Sequence, residues 1–413
     1  MSTNSPWIKA IAVKAVRHLR DFTIDIDEKA PRSLIITGPN GAGKTSLLDA
    51  LWEYLRNIES DASLLHDHAA RYVRNAQTRL EKQEISGDSL HEVEAARKDL
   101  EHWQDVYNRF YEKLEVAIEN DASLSRLCRS KEFVIAYYRD FRNDRFVSPK
   151  NPEKPNLEYN VEKSKVSEFL KYLVDMKVQQ ALARNEGAEA DASEIGKWFD
   201  DFEAILRRIF DDAELTLAFD YRTYVFEIET KGKRFPFSGL SAGYSAVMNI
   251  VADLMLKMRP SRPVCVFNLP GIVLVDEIET HLHLALQKEV LPILTTLFPN
   301  VQWIITSHSP FVINSVGNII VYDIATRSRI EDSDEYSYDA LAEGFFGVEV
   351  ESGELNRRLD ELAQLVAAGR PEDADRIESL FADFDKIPQV MAPRIKTRSS
   401  ELKVRYYAAR SCA

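Results

Sequence analysis

The chain has 413 residues, 45% of them hydrophobic and 29% charged, which suits a large α/β domain with one or two additions. Its formal net charge of −13 excludes a surface that is basic everywhere but permits a local basic patch. The three cysteines are far apart and form no CxxC pair, which argues against a zinc site or a disulfide framework.

Targeting and membrane signals point to a cytoplasmic protein. The segment before Trp7 is short and polar and lacks the apolar core of a signal peptide. No apolar run reaches the length of a transmembrane helix. We therefore expect a cytoplasmic location and no membrane partner.

The first elements along the chain predict the start of an α/β head. Alternating apolar residues predict strands at Ile8–Val13 and Phe22–Ile26. A short buried strand at Ser33–Thr37 leads into a glycine-rich loop, and an apolar helix is expected from Ser46 to Leu55.

The glycine-rich loop, GPNGAGKT, matches the phosphate-binding pattern GxxxxGK[ST] between a strand and a helix. Glycines let main-chain N–H groups converge on phosphate oxygens, an approach that a Cβ would obstruct. We expect Lys44 to reach the β and γ phosphates of ATP and the Thr45 hydroxyl to bind Mg²⁺. The residues expected to bind the nucleotide here are Gly38, Asn40, Gly41, Ala42, Gly43, Lys44, Thr45 and Ser46.

Residues 60 to 122 differ in composition, being rich in Ala, Glu, Arg, Lys and Leu without any proline. Their one turn signal, EISGDS at Glu84–Ser89, predicts two antiparallel helices. A short coiled-coil arm and an ordinary pair of surface helices both fit, since the pattern lacks clean long heptads.

The head is expected to resume with a strand at Phe133–Tyr138. A loop rich in Pro, Asn and Lys follows, then helices up to about residue 212. Leu215–Phe219 and Tyr224–Glu229 resemble the two strands of a hairpin.

The segment SGLSAGY, Ser238–Tyr244, contains LSxG at the start of an apolar helix. A helix N-terminus with a small hydroxyl and a glycine makes an anion site, although SGLS taken alone would only cap a helix. Its position between the glycine-rich loop and the acidic strand described next favours a nucleotide site. Ser241 and Gly243 are the residues expected to contact phosphate.

The continuous apolar strand GIVLV is followed by Asp276 and Glu277, the Walker B pattern. Such a strand delivers carboxylates to the ligand-binding edge of the sheet. We expect Asp276 to support Mg²⁺ and Glu277 to orient and polarise the attacking water.

A helix is expected over Leu282–Leu297, and the next strands are Val301–Thr306 and Ile319–Ile324. His308 follows the first of these strands, where it would sense the γ phosphate, so Glu277 and His308 are the candidate catalytic residues. Glu279, His281 and His283 form ExHxH, which leaves a transition-metal site as an alternative.

The C-terminal stretch predicts helices with a basic end. Apolar residues at helical spacing continue to Gly369, and a second helix is expected at Arg376–Phe384. Docking onto an acidic partner, binding of DNA and simple solvation all fit the basic residues that follow, which are Arg394, Lys396, Arg398, Lys403, Arg405 and Arg410.

In type and order, the four motifs resemble the head of an ABC-type ATPase. DEIETHLH followed by LFPNVQWIITSHSP is similar to the OLD-like and RecF-like ATPases of bacteria, many of which serve in antiphage defence. The C-terminal helices resemble the tails of partner-dependent ATPase subunits of Septu and PARIS systems. The resemblance covers most of residues 8 to 325.

The resemblance implies an α/β P-loop fold with a mostly parallel sheet, a helical arm and a C-terminal helical extension. The expected domains are residues 1–58 with the Walker A loop, the helical insertion 59–130, the rest of the head 131–350, and a partner-binding extension 351–413.

The implied activity is hydrolysis of ATP to ADP and phosphate with Mg²⁺. It would occur in a head-to-tail homodimer or higher oligomer, where Ser241 and Gly243 reach the nucleotide of the other protomer. The implied partner is a nuclease or toxin effector. A DNA-repair clamp in the manner of RecF, with nucleic acid as its partner, is the alternative. A transporter ATPase is disfavoured because the stretch between Lys44 and Asp276 is far longer than a transporter head needs.

Two features depart from these relatives. The nuclease domain of OLD proteins has no counterpart after His308, so we expect no nuclease chemistry in this chain. The region YYRDFRNDRF also lacks the glutamine that ABC heads usually carry. The candidates for coupling nucleotide to the arm, which an ordinary polar loop would equally explain, are Arg142, Asn143 and Arg145.

Overall fold

The computed structural model describes residues 5–60, 66–86, 89–139, 145–156, 166–258, 268–331, 333–338, 340–341, 343, 353–387 and 392–411. It divides into two compact units, Met1–Ser337 and Tyr338–Ala413. The sequence analysis expected the head to end at residue 350, whereas the boundary between the two units follows Ser337.

The first unit alternates strands and helices along the chain. Its strands are β1 (Trp7–Val16), β2 (Leu19–Asp25), β3 (Ser33–Thr37), β4 (Leu114–Glu119), β5 (Val134–Tyr138), β6 (Thr216–Asp220), β7 (Val225–Thr230), β8 (Lys233–Pro236), β9 (Gly271–Val275), β10 (Val301–Thr306), β11 (Ile319–Asp323) and β12 (Ser328–Ile330). Its helices are α1 (Lys44–Ser60), α2 (His66–Ser86), α3 (Leu90–Tyr111), α4 (Asp121–Arg129), α5 (Val166–Asn185), α6 (Glu189–Phe210), α7 (Ala242–Lys257), α8 (Leu284–Leu297) and α9 (Pro310–Ile313).

A six-stranded sheet forms the centre of this unit, in the order β12-β11-β3-β10-β9-β5. Every neighbouring pair is parallel except β11 and β12. All residues of β9 and β10 are buried, which matches their continuous apolar sequences. The predicted α/β class with a mostly parallel sheet is confirmed.

A second sheet, β2-β1-β4, is antiparallel and lies on the side of α1. The sequence analysis expected helix as far as residue 122, yet Leu114, Val116 and Ile118 are buried on one face of β4. This period of two lets β4 pair with β1, because burying that face outweighs the helix-forming composition around it. The helical insertion therefore ends near Tyr111.

Helices α2 and α3 pack against each other as an antiparallel pair, as the turn signal predicted. Tyr72 stacks on Trp103 at 4.4 Å, and Arg97 pairs with Glu84 nearer the turn. Small side chains such as Ala76 are buried between the helices, which lets the two backbones approach closely. We call this helix pair the arm.

The predicted hairpin is present as β6 and β7, and β8 adds a third antiparallel strand to it. A short 3-10 turn, Phe237–Gly239, then leads to α7. The sequence analysis did not anticipate β8, whose four residues contain the proline that ends it.

The second unit contains α10 (Gly353–Ala368), α11 (Ala374–Lys386) and α12 (Pro393–Ser411). Their apolar sides form a separate core that includes Leu362, Phe381 and Phe384. The basic end of the chain is helical in α12. Three of its cations make ion pairs inside their own unit: Arg394 with Glu343, Arg398 with Asp360, and Lys403 with Asp385.

Within the residues that the structure describes, no helix is both long enough and apolar enough to cross a bilayer.

The side chain of Gln302 joins the two sheets. It is buried in β10, accepts a hydrogen bond from the Ile8 N–H at 2.7 Å, and donates to the carbonyl oxygens of Ile8 and Arg32 at 2.9 and 2.8 Å. Gln302→Leu removes the side-chain partner of the two buried backbone groups of Ile8 and of the half-buried carbonyl of Arg32, and should lower the free energy of unfolding by about 3 kcal/mol. Urea titration followed by tryptophan fluorescence measures this loss, and exposed Gln77→Leu on the arm is the control, expected to change little. An equal effect of both changes would contradict the role of Gln302.

Candidate functional site

The glycine-rich loop joins β3 to α1, which begins at Lys44. Gly38, Gly41 and Gly43 have φ angles of 133°, 80° and 99°, a region that side-chain-bearing residues rarely adopt. At Gly38 a Cβ would also lie 2.9 Å from Cγ2 of Ile324. Backbone conformation therefore explains the glycines. Of the other predicted loop residues, Asn40 is exposed, Ala42 and Thr45 are half-buried, and Ser46 is buried.

The buried side chain of Lys44 folds back onto its own loop. Its Nζ donates to the carbonyl oxygens of Gly38 and Pro39 at 3.0 and 3.1 Å. Burial lowers the pKa of Lys44, and nearby carboxylates oppose that shift. Those carboxylates belong to Glu277, Glu279, Asp276 and Asp323.

Thr306, the last residue of β10, fixes both acids that follow β9. Its hydroxyl donates to Oδ1 of Asp276 at 2.6 Å and accepts from the backbone N–H of Glu277 at 2.7 Å. Both contacts are possible because β10 lies directly beside β9. The hydroxyl of Thr306 thus sets the positions of the predicted metal ligand and of the predicted general base.

The turn after β9 has an unusual backbone. Glu277 has φ of 48° and His281 has φ of 67°, so two non-glycine residues adopt the left-handed region within five positions. Each such residue costs roughly 1 kcal/mol or more unless its surroundings hold it. Hydrogen bonds from Thr280 and Leu282 to the carbonyls of Glu277 and Glu279 close this turn.

His308 and Glu279 form the back of the site. The backbone N–H of His308 donates to Oε1 of Glu279 at 2.5 Å. Burial raises the pKa of Glu279, while burial and the charge of Lys44 lower the pKa of His308. The imidazole is therefore neutral near pH 7. Among the described residues its Nε2 has no hydrogen-bond partner, as expected of a group that a bound ligand satisfies.

The chemistry around Lys44 fits a magnesium–nucleotide complex. The described residues contain no cluster of three or more His, Cys, Asp or Glu suited to a metal ion. That result argues against the ExHxH alternative, and His283 instead caps α8 by accepting from the N–H of Leu286. Mg²⁺ takes only one or two protein oxygens and completes its shell with phosphate and water, so Thr45 and Asp276 would suffice.

The segment Ser238–Tyr244 with its LSxG motif, which we call the signature, lies at the start of α7, the signature helix. Ser241 is its N-cap and is exposed, with no side-chain capping bond. Gly243 is buried, and a Cβ there would lie 3.1 Å from the carbonyl oxygen of His281. Close packing against the turn after β9 is enough to explain this glycine. Its predicted contact with phosphate stays a prediction.

A buried polar network connects α7 to the central sheet. Lys257 and Asp253 form a buried ion pair at 2.7 Å, and the hydroxyl of Tyr138 donates to the same carboxylate at 2.7 Å. The carbonyl of Tyr138 in turn accepts from the N–H of Asp276. The network thus connects the signature helix to the strand end that carries the acids.

Sequence reasoning gave no role in the site to Thr306 or Thr37, and it considered Glu279 only as part of the ExHxH alternative. Thr306 and Glu279 hold neighbouring groups in place, and the hydroxyl of Thr37 is buried without a partner among the described residues. One signal was available in the sequence: Thr37 ends the strand before the glycine-rich loop, and Thr306 ends the strand before the segment with His308. Arg142 and Asn143 lie outside the described residues, and Arg145 is exposed.

Two family models match the chain. One, described as "AAA domain", matches residues 10–209, and another, described as "AAA domain, putative AbiEii toxin, Type IV TA system", matches residues 140–314. Together they extend from β1 to the end of α9.

Curated relatives match shorter stretches. "Retron Ec83 probable ATPase" of Escherichia coli is 38% identical over 79 residues, covering 19% of this chain and 15% of that protein. "Septu protein PtuA" of Bacillus mycoides is 27% identical over 165 residues, covering 36% of this chain and 23% of the relative. The matches thus span less than a quarter of either relative.

A solved structure, "SMC head domain from Thermotoga maritima", aligns with a TM-score of 0.35 and 11% identity. The alignment covers 76% of this chain and 94% of that structure. The fold class rests on the strand order and the glycine-rich loop.

Thr306→Val keeps the shape of the side chain but removes the hydroxyl that holds Asp276 and Glu277. We expect ATP turnover to fall roughly ten- to a hundredfold, as for other groups that orient a ligand or a base. Thr306→Ser retains the hydroxyl and is the matched control, expected to stay close to wild type. Phosphate release measures turnover, and equal rates for the Val and Ser variants would show that the hydroxyl has no such role.

Proposed function

We propose that this chain, an AAA ATPase related to the Septu and retron ATPases, hydrolyses ATP with Mg²⁺ between two copies stacked head-to-tail. Each copy would contribute the loop and acids of one site and the signature helix of the other. Through this hydrolysis the dimer would control a partner effector.

The exposed start of α7 is the observation that carries this proposal. Ser241 presents an unused hydroxyl at a helix N-terminus, which attracts anions. In the described part of the chain, no hydrogen bond joins residues 238–243 to residues 38–45. The start of α7 can bind an anion but does not contact the glycine-rich loop of its own chain. It is therefore suited to the phosphate that a second copy holds.

The residues of one copy supply the remaining chemistry. Lys44 would exchange the carbonyl oxygens of Gly38 and Pro39 for the β and γ phosphates. Mg²⁺, held by Thr45 and Asp276, would offset the negative charge of the phosphates. Glu277 would polarise the attacking water, and the neutral ring of His308 would sense the γ phosphate by donating a hydrogen bond to it.

Coupling of hydrolysis to a partner follows from the same arrangement. ATP bound at the seam contacts both copies and favours the closed dimer, and its hydrolysis removes part of those contacts. The partner would be a protein effector, a nuclease or a toxin, as the resemblance to partner-dependent ATPase subunits implies. The second unit, with its own core, provides a separate surface for that partner.

A DNA-repair clamp is the second candidate, and one observation favours it. Helix α2 presents a row of cations that have no acidic partner in the part of the chain that the structure describes, as a surface for nucleic acid would. The basic C-terminal helix supports it less, because three of its cations pair inside their own unit.

Complementation between two inactive variants tests the shared site. Lys44→Ala removes the loop lysine and Ser241→Arg blocks the signature, so each alone should be nearly inactive. Mixed in equal amounts, they form heterodimers with one intact site, and about a quarter of the wild-type turnover should return. Phosphate release measures the recovery.

The matched control mixes Lys44→Ala with Glu277→Gln. Both residues belong to the same half of a site, so every heterodimer keeps two broken sites and no activity returns. Recovery in both mixtures, or in neither, would contradict a site shared between two chains.

Glu277→Gln should still bind ATP but hydrolyse it roughly a hundred- to a thousandfold more slowly, because the water loses its carboxylate. ATP then stays at the seam, and the dimer should persist in a mass measurement with ATP but not with ADP. This trapped form is the bait for co-purification with the product of the neighbouring gene. Unchanged turnover would contradict the role of Glu277 in hydrolysis. A mass that is the same with ATP and with ADP would contradict ATP-dependent dimerisation.

A further inference from the structure

Helix α2 of the arm carries a row of cations along one exposed face. Arg71, Arg74, Arg79 and Lys82 are all exposed, and Asn75 and Thr78 lie between them. At 100° per residue these six side chains occupy one side of the helix, opposite the side that packs on α3. We call them the α2 stripe.

The cations of the α2 stripe have no acidic partner among the described residues. Helix α2 contains the acids Asp67, Glu81 and Glu84, and the side chain of Asp67 lies outside the described residues. Glu84 pairs with Arg97 of α3, and Glu81 accepts a hydrogen bond from Gln77 at 3.4 Å. Over the described side chains, the α2 stripe therefore carries a net positive charge.

This arrangement is unusual for the chain. The whole protein has a formal net charge of −13, and many of its other surface cations sit in ion pairs. The partner helix α3 is acidic, with Glu92, Glu94, Asp99, Glu101 and Asp105 against Arg97, Lys98 and Arg109. The arm thus has a cationic helix and an anionic helix, and such a separation directs a polyanion to one side.

The residue types of the α2 stripe suit phosphate rather than a protein surface. Protein interfaces have apolar and aromatic centres, yet the exposed residues between Arg71 and Lys82 are all polar or charged. Arg, Lys, Asn and Thr are the side chains that donate to phosphate oxygens. A shallow groove along α2 is lined by Asn75, Thr78, Arg79, Lys82 and Gln83, which include no acid.

The spacing suits a double helix. Arg71 and Lys82 are eleven positions apart, which corresponds to about 16 Å along the helix axis. That length matches about five phosphates of one DNA strand. Single-stranded ligands are bound by exposed aromatic rings, whereas Tyr72 and Trp103 of the arm stack on each other.

We infer that the α2 stripe binds the phosphate backbone of duplex DNA. Helix α2 lies in the major groove, and Arg71, Arg74, Arg79 and Lys82 contact the phosphates at its edges without reading bases. An α-helix fits the major groove of B-DNA, while the narrow major groove of duplex RNA does not admit it. The affinity is therefore independent of sequence and falls steeply with salt.

This site is separate from the ATPase proposal. The stripe lies on the arm and includes none of the residues placed around Lys44. If the wild-type protein turned over ATP but bound no duplex DNA, this inference alone would be contradicted. If the wild-type protein bound duplex DNA but did not turn over ATP, the ATPase proposal alone would be contradicted.

The test uses the full chain and a fluorescent DNA duplex of about twenty base pairs, with binding followed by anisotropy over a range of salt concentrations. In Arg79→Gln/Lys82→Gln we expect affinity to fall roughly tenfold per cation at low salt. The slope of log affinity against log salt should decrease in size by about two. Glutamine keeps the length and the helix preference of the residues it replaces.

The matched control is Arg97→Gln/Lys98→Gln, which removes the same charge from α3 of the same arm and should leave affinity nearly unchanged. Circular dichroism and thermal melting check that the helices are intact. No binding of the duplex by wild type at low salt, or equal weakening by both pairs, overturns the inference. Equally strong binding of duplex RNA, or equal competition by polyglutamate, also overturns it and points to RNA or to an acidic protein.

Discussion

The position of β10 between β3 and β9 is the constraint on which the candidate site depends. The strand with the glycine-rich loop and the strand with the acids are not neighbours, and β10 forms hydrogen bonds with both. Its last residue, Thr306, can therefore reach Asp276, and two residues further on the N–H of His308 donates to Glu279. With another strand order the same motifs would be present but separated in space.

Electrostatics links the binding of phosphate to the binding of a cation. Lys44 is buried, and the negative charges of four carboxylates oppose the lowering of its pKa that burial causes. A triphosphate would bring further negative charge and would be held by main-chain dipoles, by Lys44 and by a divalent cation. Burial strengthens these terms because the effective dielectric is lower inside the protein. Neither ligand is expected to bind well without the other.

The signature helix and the acids are packed together within one chain. Gly243 lies against the carbonyl of His281, in the turn that follows Glu277. That turn holds two left-handed residues, a conformation that persists only where the surroundings support it. A second connection runs from Asp253 through Tyr138 to the backbone of Asp276. In a head-to-tail dimer these contacts would connect the half-site at one seam to the half-site at the other.

The sequence by itself determined the α/β class, the glycine-rich loop and the strands that flank it, because these depend on local patterns: glycines at positive φ, and apolar runs that must be buried on both faces. Only the tertiary structure decided which distant groups meet. Those decisions include the strand β4 in place of a helix, the hydroxyl of Thr306 between two acids, the packing reason for Gly243, and the internal pairing of the basic helix α12. Each depends on contacts between residues far apart in the chain, and local propensity carries no information about such contacts.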